Sequence, residues 1–397
     1  MNTSMNTSVN IKRTGIDFFT TNSYYLDKYK GKRLAMITNQ TGLDVHYKLS
    51  HCLVNEFYTL VKLFSPEHGL FGNCGAGEDV SYYTDSFTGL PVFSLYSSKS
   101  QAIDDSLLED VDAIVYDIQD VGVRCYTYIS TLFEAMKTCQ RTKTVLVVLD
   151  RPPMLGRCFD GPVMEKAFES FVGIYNIPFR YGLTPGEFAK LVYSELEYDF
   201  PLEIVCFEKD TEKEFANGRA EETIEENPES FNYVFVPPSV SIPTFDSALA
   251  YSAMALLEGT NISEGRGTST PFQVFGAPFI TAKDFVERLN SLNLAGVAFT
   301  PVAFNPSFSK HSGLQCQGCR MIFTNKKEFK SFETIMKILD SLKDMYPNDF
   351  ELLEEGKKIS RLLGVEVHKD MMFSSLVEKS NLQNVAFAKR VKNFLMY

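Results

Sequence analysis

Four short apolar runs, each followed by a polar motif, constrain the fold of this chain more than any other feature. The runs cover residues 33–38, 60–64, 111–116 and 144–149. Each has strand length and is rich in aliphatic or β-branched residues, which is typical of a parallel sheet covered on both faces. A helix pattern covers residues 128–140, between the last two runs. This alternation predicts a doubly wound α/β domain.

The charge distribution suggests where this domain ends. Residues 208–230 carry nine acidic and three basic side chains, which is typical of a solvated linker. We therefore predict an N-terminal domain over residues 1–230, with the acidic linker at its end, and a smaller C-terminal α+β domain over residues 231–397. The elements predicted for the second domain are strands at 297–304 and 320–324 and helices at 247–257, 282–292 and 328–344.

Composition excludes several classes of partner. The net charge is −11 and no cluster of Lys and Arg offsets it, so we expect no nucleic-acid partner. The longest apolar run, residues 248–257, is far shorter than the roughly 20 residues of a membrane span. The first residues lack the apolar stretch of a secretory signal. We expect a cytoplasmic protein as the sequence stands, or a periplasmic or secreted one if a signal was removed.

Two motifs that could hold a cofactor are weak. Cys316 and Cys319 have the spacing of a zinc or redox site, but a zinc site needs further ligands and only His311 is near in sequence. The glycine-rich residues 72–77 match neither dinucleotide nor P-loop spacing. We therefore predict no metal and no cofactor, reduced cysteines, and a flexible loop at residues 72–77 that forms an edge of the cleft.

Polar motifs follow all four predicted strands. They cover residues 38–42, 65–69, 117–122 and 150–152. The carboxyl ends of parallel strands meet at one edge of a sheet, where α/β proteins bind their ligands. We therefore expect these four motifs to form one site.

The candidates for acid–base chemistry have structural alternatives. Glu67 and His68 sit between Pro66 and Gly69, which would present a side chain rigidly, although His68 could equally be a core histidine. Asp117 could simply cap a turn, and Asp150 could form an internal ion pair with Arg151.

The second domain contributes Glu264 and Arg266, which lie among glycines that let a ligand approach the backbone. Two carboxylates facing each other across a cleft suit glycoside hydrolysis, provided that one of them keeps its proton near neutrality. Spacing alone shows only that the necessary groups are present.

The motifs occur in an order that resembles one known family, the NamZ-type exo-β-N-acetylmuramidases, long known as a domain of unknown function. The shared motifs are Thr-Asn-Gln-Thr-Gly (38–42), Pro-Glu-His-Gly-Leu-Phe-Gly (66–72), Asp-Ile-Gln-Asp-Val-Gly-Val-Arg-Cys-Tyr-Thr-Tyr (117–128), Leu-Asp-Arg-Pro (149–152), Gly-Pro-Val (161–163), Gly-Leu-Thr-Pro-Gly-Glu (182–187), Glu-Gly-Thr-Asn-Ile-Ser-Glu-Gly-Arg-Gly-Thr (258–268) and Gly-Ala-Pro (276–278). The likeness runs from about Arg13 to the C-terminus.

This resemblance implies a Rossmann-like domain without a nucleotide, a smaller second domain, and an active cleft between them. The implied activity is release of N-acetylmuramic acid from the non-reducing end of peptidoglycan fragments. Glu67 corresponds to the catalytic carboxylate, and Glu264 and Glu187 are further catalytic candidates. The substrate-binding candidates are Asn39, His68, Asp120, Arg124, Tyr126, Asp150, Arg151 and Arg266, of which the three arginines could bind the lactyl carboxylate of the substrate.

Some positions depart from the family pattern. Tyr181 replaces a histidine before Gly-Leu-Thr, the motif after the fourth strand reads Arg-Pro-Pro-Met (151–154), a Pro-Ser-Pro-Asn-x-Pro stretch has become Pro-Ser-Val-Ser-Ile-Pro (238–243), and no Trp is present. The alternative is a non-catalytic amino-sugar-binding homologue, or one with altered specificity. The sequence leaves open whether the reaction retains or inverts configuration, which residue is the second carboxylate, and the oligomeric state.

Overall fold

The computed structural model describes residues 12–75, 77, 82–96, 102–208 and 235–397. A seven-stranded sheet, counted over the described residues, organises the N-terminal part. Its strands are β1 (Arg33–Thr38), β2 (Thr59–Ser65), β3 (Tyr83–Thr84), β4 (Pro91–Ser94), β5 (Ala113–Asp117), β6 (Val145–Leu149) and β7 (Leu202–Val205). The order is β3-β4-β2-β1-β5-β6-β7, and neighbouring strands are parallel except for the antiparallel pair β3 and β4.

Helices cover both faces of this sheet because the core strands are apolar on both faces. In β1, Leu34 and Met36 pack in one apolar cluster, and Ala35 and Ile37 pack in the other. Side chains alternate across a strand, so such a strand needs cover on both sides. The helices of the first cluster are α1 (Gly15–Thr21), α2 (Ser23–Lys28) and α3 (Ser50–Phe57), and those of the second are α4 (Tyr128–Thr142) and α5 (Pro185–Glu195).

The C-terminal part is built on a three-stranded antiparallel sheet. Its strands are β8 (Val274–Ala277), β9 (Val297–Phe304) and β10 (Cys316–Phe323), in the order β8-β10-β9. Its helices are α6 (Phe245–Met254), α7 (Ala282–Ser291), α8 (Ser331–Met345), α9 (Lys357–Leu363) and α10 (Ser375–Val391). The apolar cluster under α4 and α5 continues through α6 and α8, so the two parts share a core.

The predicted α/β architecture with a smaller α+β part is confirmed. All four core strands form where the apolar runs lie, and the helix predicted from residue 247 begins at Phe245 and continues as a 3₁₀ turn over Ala255–Gly259. The acidic segment after residue 208 lies outside the described residues, so the boundary at residue 230 stays a prediction. Among the described helices, none combines the length and apolarity that a bilayer crossing requires.

The cysteines 316 and 319 lie on β10, and both are buried free thiols. Burial raises the pKa of the Cys316 thiol to about 11, which disfavours the thiolate form that binds metals and reacts. Over the described ranges, no group of three His, Cys, Asp or Glu side chains is arranged to hold a metal ion.

Candidate active site

The strand order places a crevice between β1 and β5. After β1 the chain places β2 on one side of it, and it later places β5, β6 and β7 on the other side. The order of the strands therefore reverses between β1 and β5, which flank the switch point. The motifs that follow these strands are bonded to each other there. The Thr38 hydroxyl donates to the Asp117 carbonyl oxygen at 2.8 Å, and the Gln119 amide donates to the Thr41 hydroxyl at 2.9 Å. Two of the four strand-end motifs, at residues 38–42 and 117–122, therefore meet at this edge of the sheet.

Glu67 lies directly after β2, and it is 9% exposed. Its Oε2 accepts a 2.5 Å hydrogen bond from the hydroxyl of Thr127, the residue that precedes α4. Its Oε1 accepts from the Gly77 amide at 3.0 Å. The carboxylate thus lies at the N-terminus of a 15-residue helix, where the helix dipole favours negative charge. The glycine-rich loop supplies its second donor, as expected of an edge of the cleft.

His68 occupies a strained position beside Glu67. Its φ of 73° lies in the left-handed region, which costs a non-glycine residue about 1 kcal/mol or more. The Nδ1 atom lies 3.1 Å from the Cys74 carbonyl oxygen, which can only accept, so Nδ1 carries the proton. The ring also lies 5.7 Å from that of Tyr126. Backbone strain of this kind concentrates at functional sites.

Tyrosine rings connect this corner to the C-terminal part. Tyr126 and Tyr128 meet edge to face at 4.8 Å, and Tyr126 meets Tyr251 of α6 edge to face at 5.7 Å. The Tyr128 hydroxyl donates to the Pro238 carbonyl oxygen at 2.6 Å. Burial, with the nearby charges of Glu67 and Asp120 adding to it, raises the pKa of Tyr126. Both carboxyl groups are therefore near enough to act electrostatically on the Tyr126 phenol, which keeps its proton.

Asp120 is a second buried carboxyl group at this edge, and it is 4% exposed. Its Oδ2 accepts from the Gly122 amide at 3.1 Å, whereas its Oδ1 has no hydrogen-bond partner within the described chain. Burial raises the pKa of Asp120 to about 7. We call Glu67, Asp120, Tyr126 and Thr127 the catalytic corner.

Asn39 also has a polar side-chain atom without a hydrogen-bond partner among the described residues. Its Oδ1 accepts from the amide and hydroxyl of Thr41 at 3.0 and 2.6 Å, and its Nδ2 is buried with no partner among the described residues. Buried polar atoms are almost always paired, so an unpaired donor on Asn39 and an unpaired acceptor on Asp120 are the features of a site that binds a polar ligand.

Glu187 and Asp150 are also buried, but their oxygens are all occupied. Glu187 forms a two-pronged ion pair with Arg157 at 2.8 Å for both contacts, and it accepts from the Thr184 and Met396 amides. Asp150 accepts from the Gly186 amide and from the hydroxyls of Thr184 and Tyr397. Burial raises the pKa of Asp150 to about 7. We call Asp150, Arg157, Thr184, Glu187 and Tyr397 the Asp150 cluster, whose contacts give both carboxyl groups a structural role.

The guanidinium group of each of the three candidate arginines already has bonding partners in the structure. Arg151 forms an ion pair with Asp117 through contacts of 2.5 and 2.8 Å, whereas the alternative interpretation had expected Asp150 as its partner. Arg266 contacts Glu258 at 2.7 Å, Glu264 at 3.3 Å and the Ser241 hydroxyl at 2.8 Å.

Arg124 is fully buried and donates to four backbone carbonyl oxygens. These belong to Pro162, Ile177, Leu362 and Leu363. The last two lie at the C-terminal end of α9, where the helix dipole favours a cation.

Glu264 lies between two cations, Lys310 at 2.8 Å and Arg266 at 3.3 Å, and it is almost completely buried. Two ion pairs therefore already occupy this carboxylate. Phe272 connects this cluster to the catalytic corner, since it lies 4.9 Å from Tyr251 and 5.0 Å from Arg266. The structure therefore brings together Glu67, Asp120, His68, Tyr126 and Asn39, with Arg266, Glu264 and Lys310 on the C-terminal side.

Thr127 and Tyr251 were not predicted from the sequence. Thr127 stands between two tyrosines of the longest motif, so its place there was a usable signal. No local signal identifies Tyr251, because it enters the site through packing between the two parts of the chain.

A two-part α/β fold with two buried carboxyl groups near the switch point of a parallel sheet, one of them with its pKa raised to about 7, has the groups that a glycoside hydrolase requires. Comparison with known sequences agrees with this class. Profiles described as the N-terminal and C-terminal parts of exo-β-N-acetylmuramidase NamZ match residues 34–245 and 249–397. The chain belongs to the NamZ family.

Individual relatives extend the match over nearly the whole chain. The peptidoglycan β-N-acetylmuramidase NamZ of Bacillus subtilis (strain 168) is 38% identical over 394 residues, covering 97% of this chain and 91% of the relative. Two crystal structures of DUF1343 family proteins from Bacteroides fragilis each cover 97% of this chain and 99% of their own. They have TM-scores of 0.81 and 0.69 at 28% and 26% identity.

Proposed function

We propose that this chain is an exo-acting β-N-acetylmuramidase that releases N-acetylmuramic acid from the non-reducing end of peptidoglycan fragments. The family membership supports the activity, because the Bacillus subtilis relative is a peptidoglycan β-N-acetylmuramidase. The single observation that carries the chemistry is the catalytic corner, where Thr127 and Gly77 fix the Glu67 carboxylate and Asp120 Oδ1 has no partner among the described residues.

In this proposal Asp120 is the acid that protonates the leaving oxygen of the glycosidic bond. A carboxyl group with a pKa of about 7 still carries its proton over much of the neutral range, and its proton-transfer driving force is near optimal there. The cause is burial, since only backbone amides oppose it. The Oδ1 atom, which has no partner among the described residues, is the oxygen available to the substrate.

Glu67 is the carboxylate that acts at the anomeric carbon. The Thr127 hydroxyl and the Gly77 amide are the kind of donors that a charged carboxylate accepts, and they fix its orientation. A fixed anion opposite the sugar ring stabilises the positive charge that develops at this carbon in the transition state. Glu264 and Glu187 have no step in this proposal, because each is held in ion pairs.

The experiment measures release of N-acetylmuramic acid from a chromogenic β-N-acetylmuramide and from a muramic-acid-terminated disaccharide. We expect turnover of both by the unmodified protein. Glu67→Gln should lower kcat/KM by about 10²–10⁴-fold, the usual contribution of such a group. Thermal unfolding should change little, because an amide can still bond to Thr127 and Gly77.

Two results would contradict the proposal. Binding of the sugar without turnover by the unmodified protein would favour the amino-sugar-binding alternative. Equal turnover by Glu67→Gln would remove Glu67 from the chemistry. A chromogenic β-N-acetylglucosaminide serves as the control for substrate choice, because it differs from the muramide only in lacking the lactyl group.

A further inference from the structure

A muramic-acid substrate carries a negative charge that the binding site has to neutralise. Under the function proposed above, on which this inference rests, the sugar carries a lactyl group that ends in a carboxylate. Arg124, Arg151 and Arg266 are already held by four carbonyls, by Asp117, and by Glu258 with Glu264. A carboxylate that binds to any of these arginines would have to displace an existing partner.

Arg180 lies next to the catalytic corner through its backbone. It forms a bridge with Val123, and the amide of Tyr181 donates to the Gly122 carbonyl oxygen. Gly122 is also the residue whose amide binds Asp120. Main-chain bonds therefore connect the Arg180 segment directly to the loop that holds Asp120.

The same segment reaches the C-terminal part. On its other side Arg180 exchanges two main-chain hydrogen bonds with Asp160, at 2.8 and 2.9 Å. The Asp160 carboxylate in turn accepts from the Ser331 hydroxyl and the Phe332 amide at the start of α8. Arg180 thus lies where the two parts of the chain meet, on the same edge of the sheet as Asp120.

The Arg180 side chain is 7% exposed, yet it has no carboxylate within ion-pair distance among the described residues. One guanidinium nitrogen donates to the Leu155 carbonyl oxygen, and Nε is buried with no hydrogen-bond partner in the described part of the chain. A buried guanidinium normally has a paired anion, because removing an isolated charge from water is costly. Arg124 also has no carboxylate within ion-pair distance among the described residues, and its Nε is buried without a partner there, but its terminal nitrogens are filled by four carbonyls.

We propose that Arg180 binds the lactyl carboxylate of the substrate and is the residue that selects N-acetylmuramic acid over uncharged amino sugars. The substrate supplies the missing anion, and the Arg180 donors form charge-assisted hydrogen bonds to it. A sugar with a neutral group at this position leaves the guanidinium buried and unpaired. Sites built around a polar partner reject the analogue that lacks it for this reason.

The test compares two substrates with the same aryl leaving group, a β-N-acetylmuramide and its lactyl carboxamide, which has nearly the same shape but is neutral and has an NH2 donor in place of one carboxylate oxygen. A charged hydrogen bond is worth about 10- to 100-fold in binding, so we expect the unmodified protein to prefer the acid by that factor in kcat/KM. Arg180→Gln should lose this preference through a higher KM for the acid. Its kcat/KM for the carboxamide should fall much less than its kcat/KM for the acid.

Two further variants separate recognition from folding. Arg180→Lys keeps the positive charge and should recover part of the preference, although it lacks the planar fork that matches a carboxylate. Arg288→Gln is the matched control, because Arg288 is exposed on α7 and lies outside the site. It should leave both substrates unchanged.

The outcomes decide the inference separately from the proposed function. An unchanged preference in Arg180→Gln, or an equal loss on both substrates, would overturn the role of Arg180 while leaving the hydrolase proposal intact. If the unmodified protein cleaves neither substrate, the proposed function fails, and calorimetry with N-acetylmuramic acid and its carboxamide then decides. If the unmodified protein binds the acid more tightly than the carboxamide and Arg180→Gln abolishes this difference, the inference is supported. If the unmodified protein binds both equally well, the inference is overturned.

Discussion

The catalytic corner and the Asp150 cluster lie on the same edge of one sheet and contain similar side chains. Each has an aspartate, Asp120 or Asp150, whose pKa burial raises to about 7, and each has a buried glutamate. They differ in how completely their polar atoms are paired. All four carboxyl oxygens of Asp150 and Glu187 accept hydrogen bonds. At the catalytic corner, Asp120 Oδ1 has no partner within the described residues.

A raised pKa therefore does not separate a catalytic aspartate from a structural one in this protein. The difference is the unpaired acceptor, which remains available for an incoming hydroxyl or glycosidic oxygen. Polar networks that are fully bonded stiffen a fold, whereas a partly bonded one keeps capacity for a ligand. The comparison predicts that matched substitutions in the two regions affect different properties, activity in one and stability in the other.

Asp120→Asn should give the largest effect, and that effect should depend on the leaving group. Without an acid, kcat/KM for a disaccharide should fall by about 10²–10⁴-fold, because a sugar alkoxide leaves poorly without a proton. A nitrophenolate leaves readily, so the loss on an activated aryl glycoside should stay below about 10-fold. Steady-state kinetics on both substrates check this.

The pH profile gives an independent test of the same group. Because the acid must be protonated, kcat/KM of the unmodified protein on the disaccharide should fall as pH rises through about 7. Asp120→Asn should lack this limb. If the kcat/KM of the variant falls by the same factor on both substrates and still decreases as pH rises through about 7, Asp120 is not the acid. The contrast between Asp120 and Asp150 would then not separate a catalytic from a structural aspartate.

Glu187→Gln should lower the stability of the protein and leave its catalytic activity nearly unchanged. It leaves the buried Arg157 guanidinium without its anion, which typically costs about 3–5 kcal/mol. Urea unfolding measures this change, and Glu67→Gln, which breaks no ion pair, should shift the free energy of unfolding by less than about 1 kcal/mol. The specific activity of folded Glu187→Gln should stay near that of the unmodified protein. A loss of activity at full folding would move Glu187 into the site.

The core of the fold was predictable from the sequence because its signals are local. The β-branched runs of β1, β5 and β6 identify their own strands, and Thr184 with Glu187 forms the capping box that begins α5. In contrast, β8 was not predicted. Its four residues include Gly276, where a side chain would collide with the Gln317 carbonyl oxygen of β10. That requirement comes from a partner strand about 40 residues away, which no local pattern reveals.

The site was predictable only as far as the sheet edge determines it. Glu67, His68 and Asp120 follow strands and lie where the parallel sheet requires. The roles of the arginines could not be assigned in the same way, because the sequence does not show whether a guanidinium group is paired or free. Leu363, which holds Arg124, is 239 residues away, and Asp117, which holds Arg151, is 34 residues away. The signal for Arg180 was a single cation in an otherwise apolar stretch before Gly182.

The last predicted effect concerns the pH dependence of stability in the Asp150 cluster. Asp150 has a pKa of about 7 when folded and about 4 when unfolded, so its protonated form stabilises the fold at low pH. This contribution is complete below pH 4 and is lost as pH rises to 7, at up to about 1.4 kcal/mol per pH unit. Asp150→Asn stays neutral, and the Thr184 and Tyr397 hydroxyls can turn to accept from its amide.

Urea unfolding between pH 4.5 and 7.5 should therefore show a steeper fall in stability for the unmodified protein than for Asp150→Asn. Asp120 has a similar pKa and adds a slope of the same sign, so the variant should keep part of the dependence. Combining Asp150→Asn with Asp120→Asn should remove most of it. Equal slopes in all of these proteins would show that both aspartates ionise as readily in the folded chain as in the unfolded one. Asp120 would then hold no proton at neutral pH, and the acid proposed for the catalytic corner would have to be another group.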